Sequence, residues 1–79
     1  MSLPAPEARM IYVPVPSMEV GERIGRALVE AELAACVNLI PGMRSIYRWE
    51  GKVDTGEEVI AIVKTTAEVA GVAMARIRE

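Results

Sequence analysis

Hydrophobic and polar positions along the chain divide it into five segments. Ile11 to Val15 is rich in β-branched residues and reads as a strand. Pro14 confines it to a sheet edge or a strand end, because proline donates no ladder hydrogen bond. Pro16 and Ser17 interrupt the strand, and Ser17 is a good helix N-cap. Val20, Ile24, Ala27, Leu28 and Ala31 then recur at helical spacing. Glu19 and Glu22 fall in the first turns, where the helix dipole favours acids. Glu22–Arg26 and Arg26–Glu30 are i,i+4 pairs on the polar side. Gly21 and Gly25 weaken the helix and point to close packing against a sheet.

From Ala35 the period changes to two. Cys36, Asn38 and Ile40 share one face, with Val37 and Leu39 on the other. Pro41-Gly42 breaks the run as a bulge, and the alternation resumes through MRSIYRW to Trp49. Glu50-Gly51 predicts a tight hairpin turn, since glycine reaches positive φ without steric cost. A return strand follows through KVDTGEEVIAIVKT. Thr65-Thr66-Ala67-Glu68 fits a capping box with Thr65 as N-cap and Glu68 at N3. Val69, Val72, Ala73 and Ile77 form the apolar stripe of a second helix. Residues 1–9, with two prolines and no periodicity, read as a flexible N-terminal arm, leaving 10–79 as one domain.

The order β-α-β-β-α predicts an α+β sandwich with both helices on one face of the sheet. Such a layout normally takes a fourth strand to close the split βαβ pattern, and the sequence stops before it. Val59, Ile60, Ala61, Ile62 and Val63 are apolar at consecutive positions, so both faces of the sheet need cover there. Two helices cover one face. For the other, a second copy of the chain is the simplest candidate.

Composition narrows the reading further. With 79 residues the chain is one domain. At this size only roughly 60% of the unfolded surface is buried, so oligomerisation is a plausible source of extra stability. An aromatic content of 4% with no Phe makes the core aliphatic. A net charge of −2 gives no electrostatic reason to expect nucleic acid as a partner. The longest apolar run, VIAIV, is too short for a membrane span. MSLPAPEAR carries Pro and Glu where a secretory signal needs an apolar stretch. The single cysteine excludes an intrachain disulfide and suits a reducing compartment, so the expectation is a cytoplasmic protein without a membrane partner. The absence of histidine excludes His-based triads and every His-containing zinc site within this chain.

The stretch ALVEAELAACVNLIPGMRSIYRWEGKV, followed by EEVIAIVKTT, resembles the CutA family of divalent-cation tolerance proteins. The likeness runs from Pro16-Ser17 to about Ala67, and LAACVN, IYRWEGKV and KTT carry it in that order and spacing. The resemblance implies a ferredoxin-like fold, PII-like in shape, assembled as a homotrimer with its sheets packed around the three-fold axis. It also implies a cytoplasmic protein that binds copper or another divalent cation and takes part in the response to metal ions. Neither an organic cofactor nor a catalytic reaction is implied. Family members continue with a histidine-containing HPYEVPEI-like strand, a further strand and a last helix. On this reading the final strand and helix are missing here, and the family's histidine has no counterpart to carry over. Pro14 stands where the first strand of family members usually carries Thr.

Cys36 is the candidate metal residue. Three readings stand open for it: a small buried hydrophobe, a soft ligand for Cu(I), and a nucleophile. As a ligand, three thiols from a trimer would combine with Met10 or Met43 as thioether partners. As a nucleophile it lacks a histidine base. Folding the hairpin about Glu50-Gly51 brings Cys36 opposite Lys64 and Thr65 to within a residue. Asn38 satisfies backbone groups at the bulge, supports a subunit contact or orients a ligand. A PII-like alternative binds a small anionic metabolite in clefts between subunits, with Lys64 and Arg48 as charge partners. Tyr47 and Trp49 alternate on one face of the hairpin arm and, with Ile60 and Ile62, are the expected subunit-interface residues. Asp54, Glu57 and Glu58 read as a solvated acidic rim, with Arg44 and Arg48 placed to pair across the strands.

Overall fold

The structure, a computed structural model, describes residues 7–78. Its elements are β1 (Ala8–Val15), α1 (Met18–Glu30), β2 (Cys36–Trp49), β3 (Lys52–Thr66) and α2 (Ala67–Ile77). Most of the expected arm, residues 1–6, lies outside the described residues. Ala8 and Arg9, which were grouped with that arm, are paired in β1 against Thr66 and Thr65. The three strands form one antiparallel sheet in the order β1-β3-β2. Pro14 therefore sits in an edge strand, where its missing N–H costs nothing.

Both helices pack on one face of this sheet. Val59, Ala61, Val63 and Thr65 of β3 point toward them and are buried, while Ile60 and Ile62 are only half-buried and Lys64 is exposed. The core has two parts. Leu28, Ala34, Val63 and Ala73 form one, between α1, α2 and the sheet. Val15, Val59 and Ala61 form the other, beneath the start of α1. Burying aliphatic side chains of this size stabilises by about 1.5–3 kcal/mol each.

Local sequence explains how the helices begin and end. The Ser17 hydroxyl accepts the Val20 N–H at 3.2 Å and caps α1. At the other end, Leu33 N–H donates to Leu28 O at 2.9 Å and Glu32 N–H to Val29 O at 3.1 Å. This pair of bonds is a Schellman ending, with Glu32 in the left-handed position at φ 60° where glycine is usual. Gly21 and Gly25 let α1 lie directly on β2. A Cβ at Gly21 would approach Leu39 Cδ2 to 2.9 Å, and one at Gly25 would approach Val37 Cβ to 3.3 Å.

Three local expectations are corrected. The N-cap of α2 is Thr66, without a side-chain cap bond, and not Thr65. Thr65 is instead a buried strand residue whose hydroxyl donates to Leu33 O at 2.7 Å, so a tertiary bond takes the group a capping box would use. Val72 is 57% exposed because α2 lies over β1 and β3 with that side outward. Among the described residues neither Glu22–Arg26 nor Arg26–Glu30 closes into an ion pair. No helix among the described residues is long and apolar enough to cross a membrane.

Candidate functional site

The face of the sheet away from the helices carries the residues singled out for chemistry. Register sets them in three rows across β1, β3 and β2. Met10, Lys64 and Cys36 make the first, Tyr12, Ile62 and Asn38 the second, and Pro14, Ile60 and Ile40 the third. Cys36 stands directly opposite Lys64, as the hairpin fold predicts, and is half-buried. Met10 lies two strand spacings from Cys36, about 10 Å, with Lys64 between them. The rows are apolar but open: Met10 is 67% exposed and Tyr12 60%.

The bulge at Pro41-Gly42 decides what else joins this face. Ile40 pairs with Ile60 and Met43 with Glu58, so β2 has one residue more than β3 across the step. Gly42 takes φ +82° to absorb it. The extra residue inverts the parity of β2, so the odd-numbered Met43, Ser45, Tyr47 and Trp49 continue the face begun by the even-numbered Cys36, Asn38 and Ile40. The Ser45 hydroxyl lies within hydrogen-bond distance of both Met43 Sδ, at 3.2 Å, and Glu58 Oε1, at 3.3 Å. The Tyr47 ring lies over Gly56, where a Cβ would meet its Cε1 and hydroxyl at 3.6 Å. The turn at the arm's tip has Glu50 at φ 50° and Gly51 at φ 78°, the two positive values a two-residue type I′ hairpin requires.

The same parity sends other side chains to the helix side of the arm. Arg44, Ile46 and Arg48 stand there opposite Glu57, Thr55 and Val53. Arg44 pairs with Glu57 at 3.1 Å, while Arg48 faces Val53 across the strands and not an acid. Glu57 and Glu58 point to opposite faces, which divides the acidic segment. Lys64 and Arg48 fall on opposite faces and near opposite ends of the hairpin, so a single chain does not bring them together. Among the described residues no group of three His, Cys, Asp or Glu side chains is placed to hold a metal ion. One chain thus supplies a thiol and separated thioethers but not a closed coordination shell.

Tyr12 is the open-face residue that sequence reasoning passed over. Its signal was the alternation Met10, Tyr12, Pro14 in β1, which becomes informative only when the strand is paired in register with Ile62.

A three-stranded antiparallel sheet, two helices on one face and a long projecting hairpin define a ferredoxin-like protein of the PII-like class. The chain belongs to the CutA1 divalent ion tolerance protein family, whose sequence profile it matches over residues 9–79. It is 53% identical over 57 residues to the divalent-cation tolerance protein CutA of Thermus thermophilus, a match over 72% of this chain and 55% of that relative. The chain thus spans about half the length of that relative. The crystallised Cut A1 protein of Thermus thermophilus superposes with a TM-score of 0.82 at 44% identity, over 90% of this chain and 69% of that one. A PII-like protein CutA from Nostoc superposes with a TM-score of 0.75 at 39% identity, over 87% of this chain and 64% of that one.

Proposed function

We propose that the chain works as an assembled metal-response protein: a cytoplasmic homotrimer that holds copper or another divalent cation at Cys36 and catalyses no reaction. The single observation that carries this reading is the open sheet face. It gathers Tyr12, Ile40, Ile60 and Ile62 beside the sulfur donors Met10, Cys36 and Met43. Tyr12 at 60% exposure and Ile40 at 46% are apolar surface that association would remove from water. The name of the family supplies the cation. Soft thiolate and thioether donors select Cu(I) among the metals of that description. Because one chain lacks a closed shell, the cation would take its thiols from neighbouring copies around a three-fold axis. Asn38, in the next row, would line the same space. Tyr47 and Trp49 would anchor the arm on the adjoining subunit.

The test is Cu(I) titration of wild-type and Cys36→Ser protein, with mass followed by light scattering. The expected result is a loss of Cu(I) affinity of tenfold or more with the assembled mass retained. Affinity unchanged by the substitution would remove the thiol from the site.

The likeness to a PII-like protein supports a second reading, in which a small anionic metabolite sits between subunits. Lys64 of one copy and Arg48 of the next would supply its charge partners. Isothermal titration of wild-type, Lys64→Ala and Arg48→Ala protein with a nucleoside triphosphate separates the two. Binding that both substitutions weaken, with Cu(I) affinity unaffected, would favour the metabolite.

A further inference from the structure

We propose that the groove between α1 and the outer edge of β2 receives the hairpin arm of a second copy of this chain. This deepens the assembly reading, on which it rests only in requiring that copies associate. The groove measures ≈ 350 Å³. Its floor is Val29, Val37 and Leu39, exposed along the two glycines of α1, and its rim carries Glu22, Arg26 and Glu30. Its pattern is therefore acid, base, acid around an apolar strip.

The helix-side face of the arm carries the opposite pattern. Arg44 and Arg48 flank Ile46, and Glu57 stands beside Arg44. Ile46 is 73% exposed and Val53, diagonal to it, 66%. The two patterns also agree in length. Four strand residues separate Arg44 from Arg48 by about 13 Å. Eight helical residues separate Glu22 from Glu30 by about 12 Å. Laid into the groove, Ile46 and Val53 would cover Val29 and Val37, the two arginines would meet the two rim glutamates, and Glu57 would meet Arg26.

The arm does not reach the groove of its own chain. It leaves the helix-covered part of the sheet beyond the bulge at Met43, and the molecule is drawn out to 58 × 23 × 21 Å. Groove and arm are different patches, so the contact is heterologous: each copy gives one arm and receives another.

Charge inversion tests this in the full-length chain. One variant inverts the groove (E22K/R26E/E30K), a second inverts the arm (R44E/R48E/E57R), and a third carries all six substitutions. All six positions are exposed, and the arm variant keeps an opposite-charge pair between positions 44 and 57. Sedimentation equilibrium is expected to show the dissociation constant raised at least tenfold in either triple variant and returned toward wild type in the sextuple. Recovery in the sextuple is the result that a mere loss of folding does not produce. Circular dichroism of each triple variant checks its helix content. If Ile62→Glu on the open face dissociates the protein while both triple variants remain associated, the groove proposal falls and the assembly reading stands. A sextuple that stays dissociated also overturns the proposal. A wild-type chain that sediments as a single copy overturns both.

Discussion

Glu32 holds the left-handed position that ends α1, with φ 60° and no glycine to make it easy. For a residue with a Cβ this conformation costs about 1–2 kcal/mol. Glycine would remove that cost but regain unfolded-state entropy, about 0.4–1 kcal/mol in the other direction. Glu32→Gly is therefore expected to raise stability by up to about 1 kcal/mol, seen as a higher urea midpoint at constant m-value. The Schellman bonds from Leu33 and Glu32 stay available to the backbone, so the helix end itself is unchanged. Thr65 shows the converse, a side chain whose local role yields to a tertiary one. The order Thr65-Thr66-Ala67-Glu68 satisfies a capping pattern, yet the Thr65 hydroxyl donates to Leu33 O, thirty-two residues away. Local spacing records what a residue offers to its own helix; it holds no record of a carbonyl brought close by folding.

At the scale of elements, the fit of α1 on β2 depends on two glycines meeting two aliphatic side chains. At Gly21 the close atom is the Cδ2 of Leu39, the end of a side chain that can rotate away. At Gly25 it is the Cβ and Cγ1 of Val37, both at 3.3 Å and fixed close to the backbone. Gly25→Val should therefore destabilise by about 2 kcal/mol through overpacking, despite the weak helix propensity of glycine. Gly21→Ala should be much milder. Chemical denaturation of both variants gives the comparison. The element order was legible in the sequence because each element carries a strong period or a strong punctuator. Ser17, Pro41-Gly42 and Glu50-Gly51 each did what their chemistry requires. The facing of Cys36 and Lys64 followed from counting residues about the turn. Less legible was the sharing of one face by Cys36 and Tyr47, since it depends on the single extra residue in the bulge. The outward side of α2, with Val72 exposed, was hidden because apolar periodicity names a stripe without saying which part of it meets the sheet.

At the scale of the whole molecule, the sheet has one roofed face and one bare one. Val59, Ala61 and Val63 are buried beneath the helices, and their neighbours Ile60 and Ile62 alternate to the face without a roof. The sequence run 59–63 thus splits its cover between the chain and something outside it. Tyr12 adds to the bare face from β1, Ile40 from β2, and Trp49, 63% exposed, from the arm. An isolated polar substitution on a solvated sheet surface changes stability by less than about 0.5 kcal/mol. The same substitution at the centre of a buried interface leaves a charge without water or partner, and association weakens by several kcal/mol. Ile62→Glu tells these apart, because Ile62 occupies the central strand and the central row, between Tyr12 and Asn38. If copies of the chain cover this face, the variant should sediment as a smaller species at concentrations where wild type stays associated, with its helix signal preserved. The helices contact the opposite face, so their packing gives no reason for the fold to fail first. Equal mass for the two proteins would mean that the bare face is solvated in solution, and the space proposed around Cys36 would lose its walls.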